Sequence, residues 1–370
     1  DQTLVSDYPI LDVSSLPATV EYDKYPMAGG ISHEVTIGVY NLKTNKTVYL
    51  ETGLPKDQYL TCVTWSPDEK YVFVALLNRD QNHYKLVKYD AINGKETKVL
   101  FEENNSKFVE PENPLIFIDD AHFLWFSKRD GYNHLYEYDI NGNLVKQITK
   151  GNWEVTDYMG FNSKTKNLFY ISTEQSPLER HLYSINIESL NKKQLTTEEG
   201  THQIVYNDDY FFDKFSSVSV PRVISLSKND GSKVKDLLIA DNPVKDYLVS
   251  YPKLLTIKNE GLPDLYARLI LPANFDSTKR YPVIVYVYGG PHSQEVSNKW
   301  ISGRYDFWFQ YMAQKGYIVF TVDNRGTSFR GLNFEQATFR NLGAVEIEDQ
   351  LRGVKYLKSL NYVDSTRFGV

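Results

Sequence analysis

The sequence has little sulfur, with one cysteine and three methionines among 370 residues. A single thiol rules out a disulfide framework and a zinc site built on cysteines. Cys62 sits in Thr61-Cys62-Val63-Thr64-Trp65, which reads as a buried strand rather than a nucleophile's surroundings. No basic surplus exists: 41 Lys and Arg stand against 47 Asp and Glu, a net charge of −6. A nucleic-acid partner is therefore not expected, since phosphates need cations to neutralise them. Long hydrophobic runs are also missing. Stretches such as Val283–Val287 fall far short of the ~20 residues that span a bilayer. No leader-like basic and apolar segment opens the chain, which begins Asp1-Gln2-Thr3. Among the seven histidines no pair has the spacing of metal ligands on a helix, and no phosphate-binding glycine loop occurs. Neither a metal nor a cofactor is expected.

Aromatic residues are abundant, with 28 Tyr, 19 Phe and 5 Trp. They favour β-structure, and they recur with a period. Val39-Tyr40-Asn41, Lys88-Tyr89-Asp90, Glu137-Tyr138-Asp139, Ser184-Ile185-Asn186 and Ser225-Leu226-Ser227 place their central anchors 49, 49, 47 and 41 residues apart. A further β-prone stretch follows each anchor. Two more precede the second, third and fourth, most clearly Tyr59–Trp65 and Tyr71–Leu77 around the turn Ser66-Pro67-Asp68-Glu69. Four short strands per repeat of this length predict β-propeller blades rather than a sandwich. Asn93-Gly94, Asn141-Gly142 and Asp230-Gly231 supply the tight turns between third and fourth strands. His134 and His181 hold equivalent places in two blades and read as scaffold. Residues 1–252 are thus expected to form a partial propeller of about four to five repeats, with its early blades preceding Asp1.

The period ends near residue 253. Leu254–Lys258 and Tyr266–Leu271 read as a hairpin joined through Glu260-Gly261-Leu262-Pro263-Asp264. Val283–Tyr288 reads as a buried strand, Tyr305–Lys315 as a helix ending at Gly316, and Tyr317–Val322 as a second buried strand. Val345–Ser359 reads as a helix with Val345, Leu351, Val354 and Leu357 inward and Glu346, Asp349 and Lys355 on its polar face. Arg367–Val370 starts another strand. Alternating strands and helices predict a parallel, doubly wound α/β sheet over 253–370. Its ligand site should lie beyond the carboxyl ends of the strands, where Tyr288-Gly289-Gly290-Pro291-His292 falls.

Tyr281–Gln294, Tyr311–Tyr317, Val322–Thr327 and the spaced residues of Leu342–Val370 resemble the prolyl oligopeptidase family of serine peptidases, in its dipeptidyl peptidase IV branch. Ser176–Tyr183 and Gly151–Val155 resemble blades of its bacterial members. The resemblance implies a propeller followed by the N-terminal part of an α/β-hydrolase domain. It also implies a peptide substrate cut after proline or alanine, with dipeptides or tripeptides released. At the matching position Tyr288 would donate its hydroxyl to the oxyanion. The sequence departs from the family in having no Gly-x-Ser-x-Gly. Gly326-Thr327-Ser328-Phe329-Arg330-Gly331 is one residue too long and reads as a loop. The catalytic serine, aspartate and histidine are therefore expected beyond Val370, and the acidic pair that holds the substrate's amino terminus before Asp1. Glu198 and Glu199 read as an exposed turn, His292 as a loop residue, and Arg325 as a structural partner of Glu346 or Asp349. These residues alone are expected to be inert. The family further implies a homodimer and a periplasmic or secreted location, with the cytoplasm left open. A tripeptidyl or acylaminoacyl peptidase, or a binding platform without catalysis, are the other readings.

Overall fold

A computed structural model describes the chain except residues 259–260 and 301–303, with only the backbone of residues 304 and 305. Glu260, placed above in a hairpin loop, lies outside the described residues. The chain divides into two compact units. One comprises Asp1–Ser127 and Leu135–Gln147, the other Lys128–His134 and Ile148–Val370.

The first unit opens with two hairpins. β1 (Asp7–Asp12) pairs with β2 (Thr19–Lys24), and β3 (Gly38–Asn41) with β4 (Lys46–Tyr49). The first hairpin carries no repeat signal and was not foreseen. Its apolar residues Ile10, Leu11 and Tyr22 are exposed, so no core imposes a pattern on it. Tyr40, the first anchor, is likewise exposed in β3. Two four-stranded antiparallel meanders follow. One joins β5 (Tyr59–Trp65), β6 (Tyr71–Leu77), β7 (His83–Asp90) and β8 (Glu96–Asn104). The other joins β9 (Ile116–Phe117), β10 (His122–Ser127), β11 (His134–Asp139) and β12 (Leu144–Gln147). Cys62 is buried and donates to the Pro111 carbonyl at 3.0 Å; burial pushes its thiol up to about 11. Its φ of 55° marks the bulge where β5 slips register against β6.

The second unit repeats the meander twice. β13 (Val155–Asn162), β14 (Asn167–Ser172), β15 (His181–Asn186) and β16 (Lys192–Gln194) form one sheet. β17 (Thr201–Tyr206), β18 (Tyr210–Ser216), β19 (Val223–Lys228) and β20 (Lys233–Ile239) form the other. The period has a local cause. Asn41, Asp90, Asp139 and Asn186 close the third-strand turn by accepting two backbone N–H bonds each through one side-chain oxygen. That is the Asx-turn chemistry that fixes an acid or amide there. The residue before it buries in the middle blades: Tyr89, Tyr138 and Ile185 are all in the core. Around Leu226 the blade is complete, with β17 and β18 ahead of the anchor, but Ser225 and Ser227 face inward instead.

A different sheet begins at β21 (Lys253–Ile257). It includes β22 (Leu265–Ile270), β23 (Tyr281–Val285), β24 (Ile318–Val322) and β25 (Val363–Gly369), in the order β21-β22-β24-β23-β25. Only β24, β23 and β25 run parallel. β21, β22 and β24 pair antiparallel, so the sheet is mixed rather than all-parallel. The helices are α1 (Arg304–Gln314), the one-turn α2 (Leu332–Glu335) and α3 (Ala344–Lys358). Alternate residues of β24 face opposite sides. Val319 packs with Phe309 and Ala313 of α1, and Ile318, Phe320 and Val322 with Leu357 of α3. The inward face of α3 differs from the apolar spacing, since Glu346, Asp349 and Gly353 are buried and Leu351 is exposed. Asp349 is buried because two arginines neutralise it. Gly353 lets the helix lie close against β24, since a Cβ there would stand 2.9 Å from the Phe320 ring.

Candidate active site

β23 ends at Val285, three residues before the expected end. The Tyr286 N–H still reaches the Phe320 carbonyl at 2.8 Å, and its ring lies edge-on to Phe309 at 4.9 Å. The chain then leaves the sheet. Gly289, at φ 73°, makes a turn that side chains resist. Tyr288 therefore stands 63% exposed, beyond the carboxyl end of a strand flanked on both sides by parallel neighbours. Its environment is unlike that of Tyr286, with which strand alternation would have grouped it. The Tyr288 ring lies over Gly290, whose absent Cβ would fall 2.8 Å from Cε1.

The loop that follows is tied at many points. The Ser293 hydroxyl donates to the Gly290 carbonyl (2.7 Å), and the His292 N–H donates to the Gly326 carbonyl (2.9 Å). Buried Asp323, at the end of β24, accepts the N–H groups of Glu295 and Val296 at 2.9 and 3.0 Å. Burial outweighs those two donors and pushes its carboxyl up to about 7. Asn324, held by Gln350, donates to the Arg325 carbonyl at 2.7 Å and reaches the Gly289 carbonyl at 3.4 Å. Arg325 forks onto Asp349 and also reaches Glu348 at 2.6 Å. Glu346, the other expected partner, instead accepts the Gly343 N–H at the start of α3.

Blade loops of the same unit meet these segments. Arg180 donates to the carbonyls of Pro177 and Glu179 and to Gln294 Oε1 at 2.8 Å, and lies 4.1 Å from the Phe329 ring centroid. Burial lowers its guanidinium to about 10, partly offset by Asp157 and Glu154. Glu154 accepts the Gly331 N–H at 2.8 Å. Burial, and then the charge of Glu335, push its carboxyl up to about 7. Lys128 pairs with Glu335 at 2.6 Å. Sequence patterning singled out none of these residues, because each works through a partner remote in the chain.

The remaining candidates fall into place. Ser328 lies in the loop between β24 and α2, not on a strand-to-helix elbow. Glu198 and Glu199 are exposed. His134 bonds Thr149 and the Gly151 carbonyl, and His181 bonds the Thr196 carbonyl and Glu179, the matched scaffold roles expected of them.

Meander blades followed by a mixed sheet, with a glycine turn and a tyrosine at a parallel strand's carboxyl end, define the class of proteins that carry propeller-type blades and the start of an α/β-hydrolase sheet in one chain. Residues 1–222 match the model of the dipeptidyl peptidase IV (DPP IV) N-terminal region, and residues 304–370 match that of the prolyl oligopeptidase family. The chain belongs to the dipeptidyl peptidase IV branch of the prolyl oligopeptidase family.

Its relatives include a dipeptidyl-aminopeptidase B of Tuber melanosporum, 30% identical over all of this chain and 44% of its own length. A dipeptidyl peptidase 4 of Aspergillus flavus is 26% identical over 94% of this chain and 47% of its own. Among solved structures, a Bacteroides ovatus protein described as a dipeptidyl aminopeptidase IV superposes with a TM-score of 0.94 at 42% identity, over all of this chain and 56% of that one. Porphyromonas gingivalis dipeptidyl peptidase 4 gives 0.90 at 29%, over all of this chain and 53% of that one. The chain spans about half the length of the curated relatives it matches.

Proposed function

We propose that the whole protein is a serine exopeptidase that releases dipeptides from peptides with proline, or alanine, in the second position. The observation that carries this reading is the placing of Tyr288. It stands exposed beyond β23 with its ring over Gly290, in a chain whose relatives are named dipeptidyl peptidases. In this reading a serine attacks the scissile carbonyl, a histidine takes its proton, and an aspartate orients the histidine. The remainder of the whole protein supplies that triad, since no Gly-x-Ser-x-Gly occurs in these residues.

The contribution of this chain is to the transition state. As the carbonyl oxygen gains charge, the Tyr288 hydroxyl donates to it, opposite the N–H of the residue after the nucleophile. A donor fixed beforehand needs no reorganisation as charge develops, and the turn at Gly289 with the ties to Asn324 and Asp323 fixes the loop that carries it.

We further propose a periplasmic or secreted location and a homodimer, both on the family resemblance, to be checked by cell fractionation and sedimentation. The function is tested by incubating the whole protein with peptides carrying proline second or third and weighing the products. Dipeptides from the first set are expected. Tripeptides from the second set alone would favour the tripeptidyl reading, and intact peptides a binding platform.

A further inference from the structure

We propose that Arg180 is a positioning residue for Tyr288, acting from a blade loop through the Gln294 side chain. This rests on the peptidase reading above and extends it to a residue that does not touch the reacting atoms.

The turn carrying Arg180 is itself rigid. The Arg180 N–H donates to the Gly200 carbonyl at 3.2 Å, and its carbonyl accepts the His202 N–H at 3.0 Å, which locks it to the start of β17. Its guanidinium grips the Pro177 and Glu179 carbonyls at 3.0 and 2.8 Å, which leaves Nη2 aimed at Gln294 Oε1. The Gln294 amide returns the contact by donating to the Pro177 carbonyl at 2.8 Å. Both ends of one amide are thus held by one turn. None of these three acceptors is a carboxylate; Asp157 and Glu154 act on the guanidinium through their charge.

From Gln294 the path to the site is short. Its neighbour Ser293 donates to the Gly290 carbonyl at 2.7 Å, and the Tyr288 ring rests on Gly290. Four residues past Gln294, Asn298 clasps the same turn: its N–H reaches the Leu178 carbonyl and its amide reaches Glu179, both at 2.8 Å. The loop is therefore set by the sheet at Asp323 and Asn324 and by the blade at Pro177–Arg180. Releasing the blade end leaves the loop attached and the Tyr288 ring free to shift.

The test is a double-mutant cycle in the whole protein, with kcat, KM and melting temperature measured on a Xaa-Pro substrate. Gln294→Ala is the milder variant, because Arg180 keeps its two carbonyl acceptors. It should lower kcat by about tenfold with KM within about twofold, the mark of a loss confined to the transition state. Arg180→Met should cost up to, and no more than, the ~10²–10³ of a lost oxyanion donor. Arg180→Lys can reach Gln294 or the carbonyls but not all three, and should fall between. In a Tyr288→Phe background, Gln294→Ala should cost less than about twofold more, because the group it positions is gone. Fully additive losses, an unchanged kcat in Gln294→Ala, or a fall in melting temperature alone would overturn the positioning role while the peptidase reading stands. A wild-type protein that turns nothing over would overturn both.

Discussion

The tyrosines of the blades and the tyrosine beside Gly289 set one side chain in opposite environments. In the blades Tyr138, Tyr170 and Tyr183 are buried rungs. Tyr170 stacks between Trp153 and Tyr183 at 6.1 and 5.7 Å, and burial pushes its hydroxyl well above the usual range. Packing the ring removes the hydroxyl from any chemistry with a ligand. Tyr288 gives up that packing and stays 63% exposed at a strand end. The same contrast holds for the regions themselves. The blades also hold buried anchors at the repeat spacing, Tyr89, Tyr138 and Ile185, where a tyrosine and an isoleucine fill matching places. The loops beyond β23 and β24 are held by hydrogen bonds and ion pairs between particular residues. Substitutions in the first region should therefore register as stability, and in the second as rate.

The largest expected effect sharpens that contrast at its exception. Asp349 is fully buried and holds Arg325 and Arg352 at 2.9 and 3.0 Å. Asp349→Ala leaves two cations facing the gap and should cost about 3–5 kcal/mol in chemical denaturation, the usual loss when a buried pair is broken. A loss under about 1 kcal/mol would show that the segment after β24 does not depend on this cluster.

One substitution can be placed in both regions. A Cβ at Gly142 would stand 2.5 Å from the Leu100 carbonyl oxygen at φ 83°, so backbone must yield. Gly142→Ala should cost about 2–4 kcal/mol of stability. At Gly290 φ is not positive, and the added methyl meets only the movable Tyr288 ring at 2.8 Å. Gly290→Ala should change stability by less than about 1 kcal/mol yet lower kcat about tenfold, because the ring is displaced. Equal stability losses at both sites would break the comparison.

The most gradual effect is a pH dependence. Asp323 has its carboxyl raised to about 7, against about 4 when unfolded. A raised pKa gives stability that is full below the unfolded value and is lost as pH rises through the folded one. Between about pH 4 and 7 the unfolding free energy should thus decline, with Asp323 contributing about 2–4 kcal/mol. Asp323→Asn should flatten this slope, measured by denaturation at stepped pH. Coincident slopes in wild type and variant would remove Asp323 from the account.

The repeats were legible because Asn41, Asp90, Asp139 and Asn186 are required by the turn they close, so the period lies in the sequence itself. The sheet from residue 253 was legible as strands and helices, but not in the pairing that makes it mixed. An antiparallel β22–β24 contact leaves no mark on either strand. The inward side of α3 misled because Asp349 and Glu346 look solvent-facing until their partners are placed. The oxyanion role proposed for Tyr288 comes from resemblance to known peptidases, not from the spacing of its neighbours. Arg180, Gln294 and Glu154 lie in segments that resemble the family, but their contacts could not be read there, since these reach across more than a hundred residues.

The central claim is that Tyr288 serves the transition state and Tyr286 serves the core. It is tested most directly by measuring kcat for Tyr288→Phe and Tyr286→Phe side by side in the whole protein on one Xaa-Pro substrate. The account predicts a fall of ~10²–10³ for Tyr288→Phe, with KM and melting temperature nearly unchanged. For Tyr286→Phe, which keeps its ring against Phe309, kcat should stay within about threefold. Equal effects from the two, or a Tyr288→Phe loss that follows its melting temperature, would contradict the account.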